Sequence, residues 1–221
     1  MGKTAGKGDL PMAEDNYGKL VEEWRQRFLT TDVPERAAAL GLEVRDGEIP
    51  IRYFNRDYIL RVSDGAIRRR EGAAPIPRYD AMFLYHLFWF SNPHPRASGV
   101  LVPFREVKGA AIFEPAFRKL AILPLSRGFS GRAAELAAAC LALGGTSLGK
   151  GDVGYRIPVF AGLDVAVLFW DGDEEFDASA NILFDKNFTD FTHVETVVTV
   201  GVDAAESLLN LAGIPHESSY K

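Results

Sequence analysis

Residues 169–185 read FWDGDEEFDASANILFD and hold the densest set of hard oxygen donors in the chain: Asp171, Asp173, Glu174, Glu175, Asp177 and Asp185. Oxygen-rich sites of this type suit magnesium or calcium, not zinc. Three of these carboxylates, Asp171, Asp173 and Glu175, are the weak candidates for metal ligands. The calcium-loop pattern fails, because Glu175 is followed by Phe176 where glycine is needed. The other reading is a solvated turn. Asp171-Gly172 follows the apolar run DVAVLFW, and a strand that ends in water ends in polar residues. The turn is the leading reading, and no metal site is predicted.

Other local patterns resemble catalytic motifs and then depart from them. GGTSLGKGD matches a phosphate loop at Gly144, Gly149 and Lys150, but Gly151 stands where a magnesium-binding Ser or Thr belongs. A helix also precedes this loop, whereas the motif needs a strand first. Gly128-Phe129-Ser130-Gly131 is one residue too short for a nucleophile elbow, so Ser130 reads as a helix cap. His86, His94, His193 and His216 are scattered, and His86 reads as a core or rim residue. His193 and Glu195 form the best local pair, without a third ligand nearby in sequence. Cys140 is a lone thiol among alanines, which excludes an internal disulfide and reads as a small buried hydrophobe.

Periodicity supplies the elements that would position these residues. Residues 16–29 form an amphipathic helix with Leu20, Val21, Trp24 and Phe28 on one face and Asn16 as its cap. A short helix follows Asp32, with Pro34 in its first turn. LEVR, IPIRYF and DYILRVS form a small antiparallel meander over about 42–70. Residues 79–90, YDAMFLYHLFWF, are apolar nearly all round, so this helix is central. Its Phe83, Leu87 and Phe90 are expected to be buried with Val165, Val167 and Phe169. VLVPF is a strand, 113–123 a helix ended by Pro124, and 132–143 an alanine-rich helix. Residues 156–185 give two or three strands. THVETVVTVGV is β-branched and is read as a strand after a helical turn, and 203–212 is the last helix. The fold class is α+β, with antiparallel sheets packed with helices in a single integrated domain over 16–221. Residues 1–15 read as a flexible leader.

The net charge is −5, but Asp164–Lys221 carries twelve acids and two lysines, a net of −10. The remainder is therefore +5. This split disfavours nucleic acid for the C-terminal part. Arg68-Arg69-Arg70, the tight basic run, reads as an exposed strand edge. No apolar run is long enough for a membrane span, and the N-terminus has no signal-peptide core, so a cytoplasmic protein is expected.

The blocks GVLVPFREVKGAAIF, AAACLALGG, GDVGYRIPVF and FWDGDEEFDASANILFD resemble family number 3786 in the domain-of-unknown-function series, found mainly in anaerobic bacteria and archaea. The resemblance spans about Tyr79–Val200. It implies no reaction, substrate or catalytic residue. Some relatives are fused to cysteine-rich iron–sulfur modules, which this chain lacks. Its family-like blocks contain the candidate ligand-binding residues Arg105, Glu106, Trp170, Asp173, Glu174 and Asp185, and Arg105 is expected to pair with an acid at 173–175 or 185. The leading functional reading is a non-enzymatic small-ligand-binding or accessory module in anaerobic metabolism, with no cofactor. Alternatives are a divalent-cation-assisted hydrolase using the acidic cluster 171–185, and an acidic module docking on a basic protein partner.

Overall fold

Two antiparallel sheets and a set of helices make up the computed structural model, which describes residues 14–217. The leader expectation therefore lies outside the described residues, apart from Glu14 and Asp15. Both of these already belong to the first helix, α1 (Glu14–Leu29), so Asn16 sits inside the helix instead of capping it. Helix α2 (Val33–Ala39) begins as expected, with the Asp32 carboxylate accepting the Glu35 N–H at 3.0 Å.

The first sheet has the order β1 (Glu48–Tyr53), β2 (Arg56–Arg61), β3 (Ile67–Arg69). The β1–β2 turn is the two-residue Phe54-Asn55, both with positive φ (44° and 61°), as a twist-matched hairpin requires. LEVR contributes no strand of its own, only the single bridge Arg45–Glu48.

The second sheet has the order β4-β8-β7-β6-β5, from β4 (Leu101–Pro103), β5 (Thr146–Ser147), β6 (Val153–Phe160), β7 (Leu163–Trp170) and β8 (Ser179–Asp185). Its middle strand β7 is buried at almost every position, which explains its unbroken apolar run.

The apolar helix α3 (Arg78–Phe90) is central, with Phe83 stacked on Tyr53 at 4.3 Å. Phe83, Leu87, Val165, Val167 and Phe169 are buried in one continuous core, while Phe90 is half-buried against it. Beyond β4, a helical run is built from α4 (Glu114–Phe117), a π turn (Arg118–Ile122) and α5 (Leu123–Phe129). Pro124 does not end this helix. The π turn lets the Leu123 N–H reach the Arg118 carbonyl five residues back, and proline, lacking an N–H, follows this widened turn. Helix α6 (Ala133–Ala142) starts after Arg132 with no side-chain cap, so Ser130 is not its cap.

The largest correction falls on THVETVVTVGV. It is no strand but the first half of α7 (Val194–Leu211). Val197, Val200, Gly201, Ala204, Ala205 and Leu208 are buried at helical spacing. Their burial outweighs the local preference of valine and threonine for strands. Helix α7 comes so close to the sheet that a Cβ at Gly201 would collide with the rings of Phe117 and Phe184.

Candidate functional site

The acidic run spends its oxygens on its own backbone. Asp173 Oδ1 accepts the N–H groups of Glu175 and Phe176, each at 2.8 Å, which holds its carboxyl below the usual range. Asp171 Oδ1 accepts Gly131 N–H at 2.8 Å and ties the turn to the start of α6. Glu174, Glu175 and Asp177 are exposed. Asp185 lies at the far end of β8, about 20 Å from Ser179 at the usual rise per residue. There it is buried and accepts the N–H groups of Ser98, Gly99 and Asn187 and the Ser98 hydroxyl. Among the described residues, no three His, Cys, Asp or Glu side chains gather in a way that could hold a metal ion.

Arg105 and Glu106 are exposed on the 3-10 turn Phe104–Glu106. The expected ion pair is not formed: among the described residues Arg105 has no carboxylate in ion-pair range. Asp173 and Asp185 instead spend oxygens on backbone amides. Trp170 is half-exposed at the end of β7. The structure therefore does not gather Arg105, Glu106, Trp170, Asp173, Glu174 and Asp185 into one site.

A concave site lies elsewhere, between α1, α3 and α7. It is a cleft of about 330 Å³ with a mainly apolar wall that includes Val21, Trp24, Met82 and Phe90. Met82, His86 and Phe90 recur every four residues and so share one stripe of α3. The His86 ring packs edge-on against Trp24 at 4.1 Å and against Phe90 at 5.2 Å, and Phe90 in turn meets His193 at 5.2 Å. Its Nδ1 is 2.7 Å from the Thr196 hydroxyl, while Nε2 is buried without a partner among the described residues. In one tautomer Nε2 offers a proton, and in the other a lone pair. Burial, with His193 and Arg27 nearby, lowers the ring to about 4, so it is neutral at pH 7. Arg27 lies 4.4 Å over the Trp24 ring and pairs with Glu23. The sequence signal for this site was a histidine inside an otherwise apolar helical stripe, which is also how an ordinary core histidine looks.

A second polar cluster lies in the interior. Arg56 of β2 pairs with Asp80 of α3 at 3.2 Å and with Asp203 of α7 at 2.8 Å, and the Tyr58 hydroxyl donates to Asp80. Asp80 is fully buried. Desolvation and the charge of Asp203 raise its carboxyl to about 6, against the pull of Arg56 and Tyr58. The cluster ties three elements, β2, α3 and α7, together. Cys140 is buried, which pushes its thiol up to about 12 and leaves it protonated.

These features define an α+β domain with an apolar interhelical cleft. The chain belongs to the family described as Domain of unknown function (DUF3786), whose model matches residues 32–206. No curated protein and no solved structure matches it. The matched span includes the α3 and α7 walls of the cleft and leaves out the α1 wall. No helix among the described residues is long and apolar enough to cross a membrane.

Proposed function

We propose that the chain is a non-enzymatic small-ligand-binding module, and that its ligand occupies the cleft between α1, α3 and α7. The ligand is small, largely apolar and ring-containing, with one uncharged polar group that bonds His86 Nε2. The observation that carries this reading is the buried, unpartnered Nε2 of His86, a residue that lines a cleft walled by Trp24, Met82 and Phe90. An unpaired buried polar atom is costly, and a ligand heteroatom removes that cost. The volume of about 330 Å³ falls in the range of small-molecule sites. A neutral imidazole in a desolvated wall favours a neutral partner over an ion.

Thermal unfolding with phenol, quinoline and benzene tests this. Phenol and quinoline should raise the melting temperature saturably and benzene less, because a site built for a hydrogen bond discriminates against an analogue that lacks it. Met82→Trp fills the cleft and should remove all three shifts, while His86→Phe should remove the difference between them. Shifts that persist unchanged in Met82→Trp, or that never appear, overturn the assignment.

The docking alternative draws on one observation. Phe176 is 70% exposed within the acidic turn, an apolar side chain ringed by carboxylates.

A further inference from the structure

A second concavity, lined by none of the cleft's residues, lies against the second sheet. It runs between the π-containing helix and the start of β8, as two adjoining hollows of about 430 and 320 Å³ that share Arg118, Ile122 and Ala180. Three features set it apart. First, it is lined by Arg105, Arg118 and Arg127, none of which has a carboxylate within ion-pair distance among the described residues. Most arginines on the rest of the surface do, including Arg25, Arg45, Arg61, Arg68 and Arg132. Glu114 and Asp177 also line the trough, which leaves it a formal charge of +1 in a chain whose C-terminal part is strongly acidic.

Second, a backbone edge opens into it. Lys186 N–H donates to the Val100 carbonyl across the β4 side of β8. Alternation along an antiparallel strand turns the amides of Phe184, Ile182 and Ala180 to that same side. The β7 partner agrees: the Phe169 carbonyl accepts Asp152 N–H on the β6 side, so the Phe169–Ala180 pair exchanges no hydrogen bonds. Strand β4 ends at Pro103, opposite Leu183, so among the described residues no strand faces Ala180 on that side. Its N–H is turned to that unpaired edge of β8, and Ala180 lines both hollows.

Third, the trough is positioned by the π turn. Arg118 opens that turn and Ile122 closes it, and both line the hollow. Single π turns inside helices recur at functional sites. Ser126, Ser130 and Ser179 add hydroxyls to the same wall.

From this we infer that the trough is an oxyanion site for a small phosphomonoester, with the phosphoryl group held by Arg118, Arg127 and the Ala180 N–H. Guanidinium groups and backbone amides are the natural partners of a phosphate, and forked arginine contacts favour it over a spherical anion. The serines and Asp177 face the remainder of the ligand, which suits a hydroxylated organic part. This site is independent of the interhelical cleft and does not rest on it.

The test uses the full chain and two probes, inorganic phosphate and glycerol 3-phosphate, at constant ionic strength set with chloride. Calorimetry should show saturable binding of both, tighter for the organic phosphate. In an amide-resolved NMR titration the Ala180 N–H should be among the resonances that move. Arg118→Gln combined with Arg127→Gln should weaken binding at least about tenfold, as loss of two charged hydrogen bonds implies. Both side chains are exposed, so the melting temperature should hold. Arg70→Gln, an exposed arginine outside the trough, should change nothing. If the double variant does not fold, Arg127→Gln alone carries the test. Binding that never saturates, that is unchanged in the arginine variants, or that leaves the Ala180 amide unmoved overturns the inference.

Discussion

Replacing Asp80 by asparagine keeps the side-chain volume and removes one buried charge. In the native protein desolvation and Asp203 raise the Asp80 carboxyl from 3.8 to about 6, and Arg56 and Tyr58 offset this only in part. That rise is worth about 3 kcal/mol of linkage between protonation and folding. The native state holds the proton more tightly than the unfolded chain. Between pH 3.8 and about 6 it therefore binds more protons, and stability falls as pH rises through that window. Above about 6 the contribution is level. His86 runs the other way. Its ring is lowered from 6.5 to about 4, so its contribution is fully present above 6.5 and is lost as pH falls through about 4. The two slopes oppose each other in nearly the same interval, and a pH–stability curve of the unaltered protein hides both. In the difference between the unaltered protein and Asp80→Asn, the His86 contribution drops out. Urea unfolding of both proteins from about pH 4 to 8 should give a constant difference above about pH 6. Below it, the unaltered protein should gain on the variant by about 1.4 kcal/mol per pH unit, to a total near 3 kcal/mol. A difference that stays flat, or that favours the unaltered protein more as pH rises, would mean that Arg56 outweighs burial, and would refute the reasoning.

Gly201→Ala improves helix propensity by up to about 1 kcal/mol, yet places a methyl group against the rings of Phe117 and Phe184. Overpacking should win, with a net loss of about 1–2 kcal/mol and a lower melting temperature; a rise would show that α7 can lift off the sheet freely. Millimolar magnesium or calcium should leave the melting temperature unchanged, because Asp173 and Asp171 already accept backbone N–H groups and Asp185 lies at the other end of β8. A saturable rise that disappears in Asp173→Asn would restore the cation-assisted reading of the acidic run.

Local chemistry was enough for the elements whose sequence carries a periodic or turn signal. The start of α2 after Asp32, the β1–β2 hairpin within the meander and the central position of α3 all follow from spacing and turn residues, because those signals act within a few bonds. The alternation of hydrophobic and turn residues likewise determined an α+β class with antiparallel sheets. Where tertiary contacts competed with local preference, the sequence misled. The valines and threonines of 194–200 favour a strand in isolation, but burying Val197 and Val200 against the rest of the core requires a helix. Pro124 signals a helix end, and the π turn before it accommodates the proline instead.

The sites divide in the same way. The acidic run was legible as a turn, since Asp173 closes its own loop within three residues. That Asp185 belongs to a different end of the molecule was not, because strand direction separates residues that composition groups together. The interhelical cleft joins Trp24, His86 and Thr196, which are 62 and 110 residues apart in consecutive steps along the chain. The trough joins Arg105, Arg127 and Ala180. Neither set has a spacing that marks it, because the geometry that brings each together comes from helix crossing and strand order, which no single segment encodes.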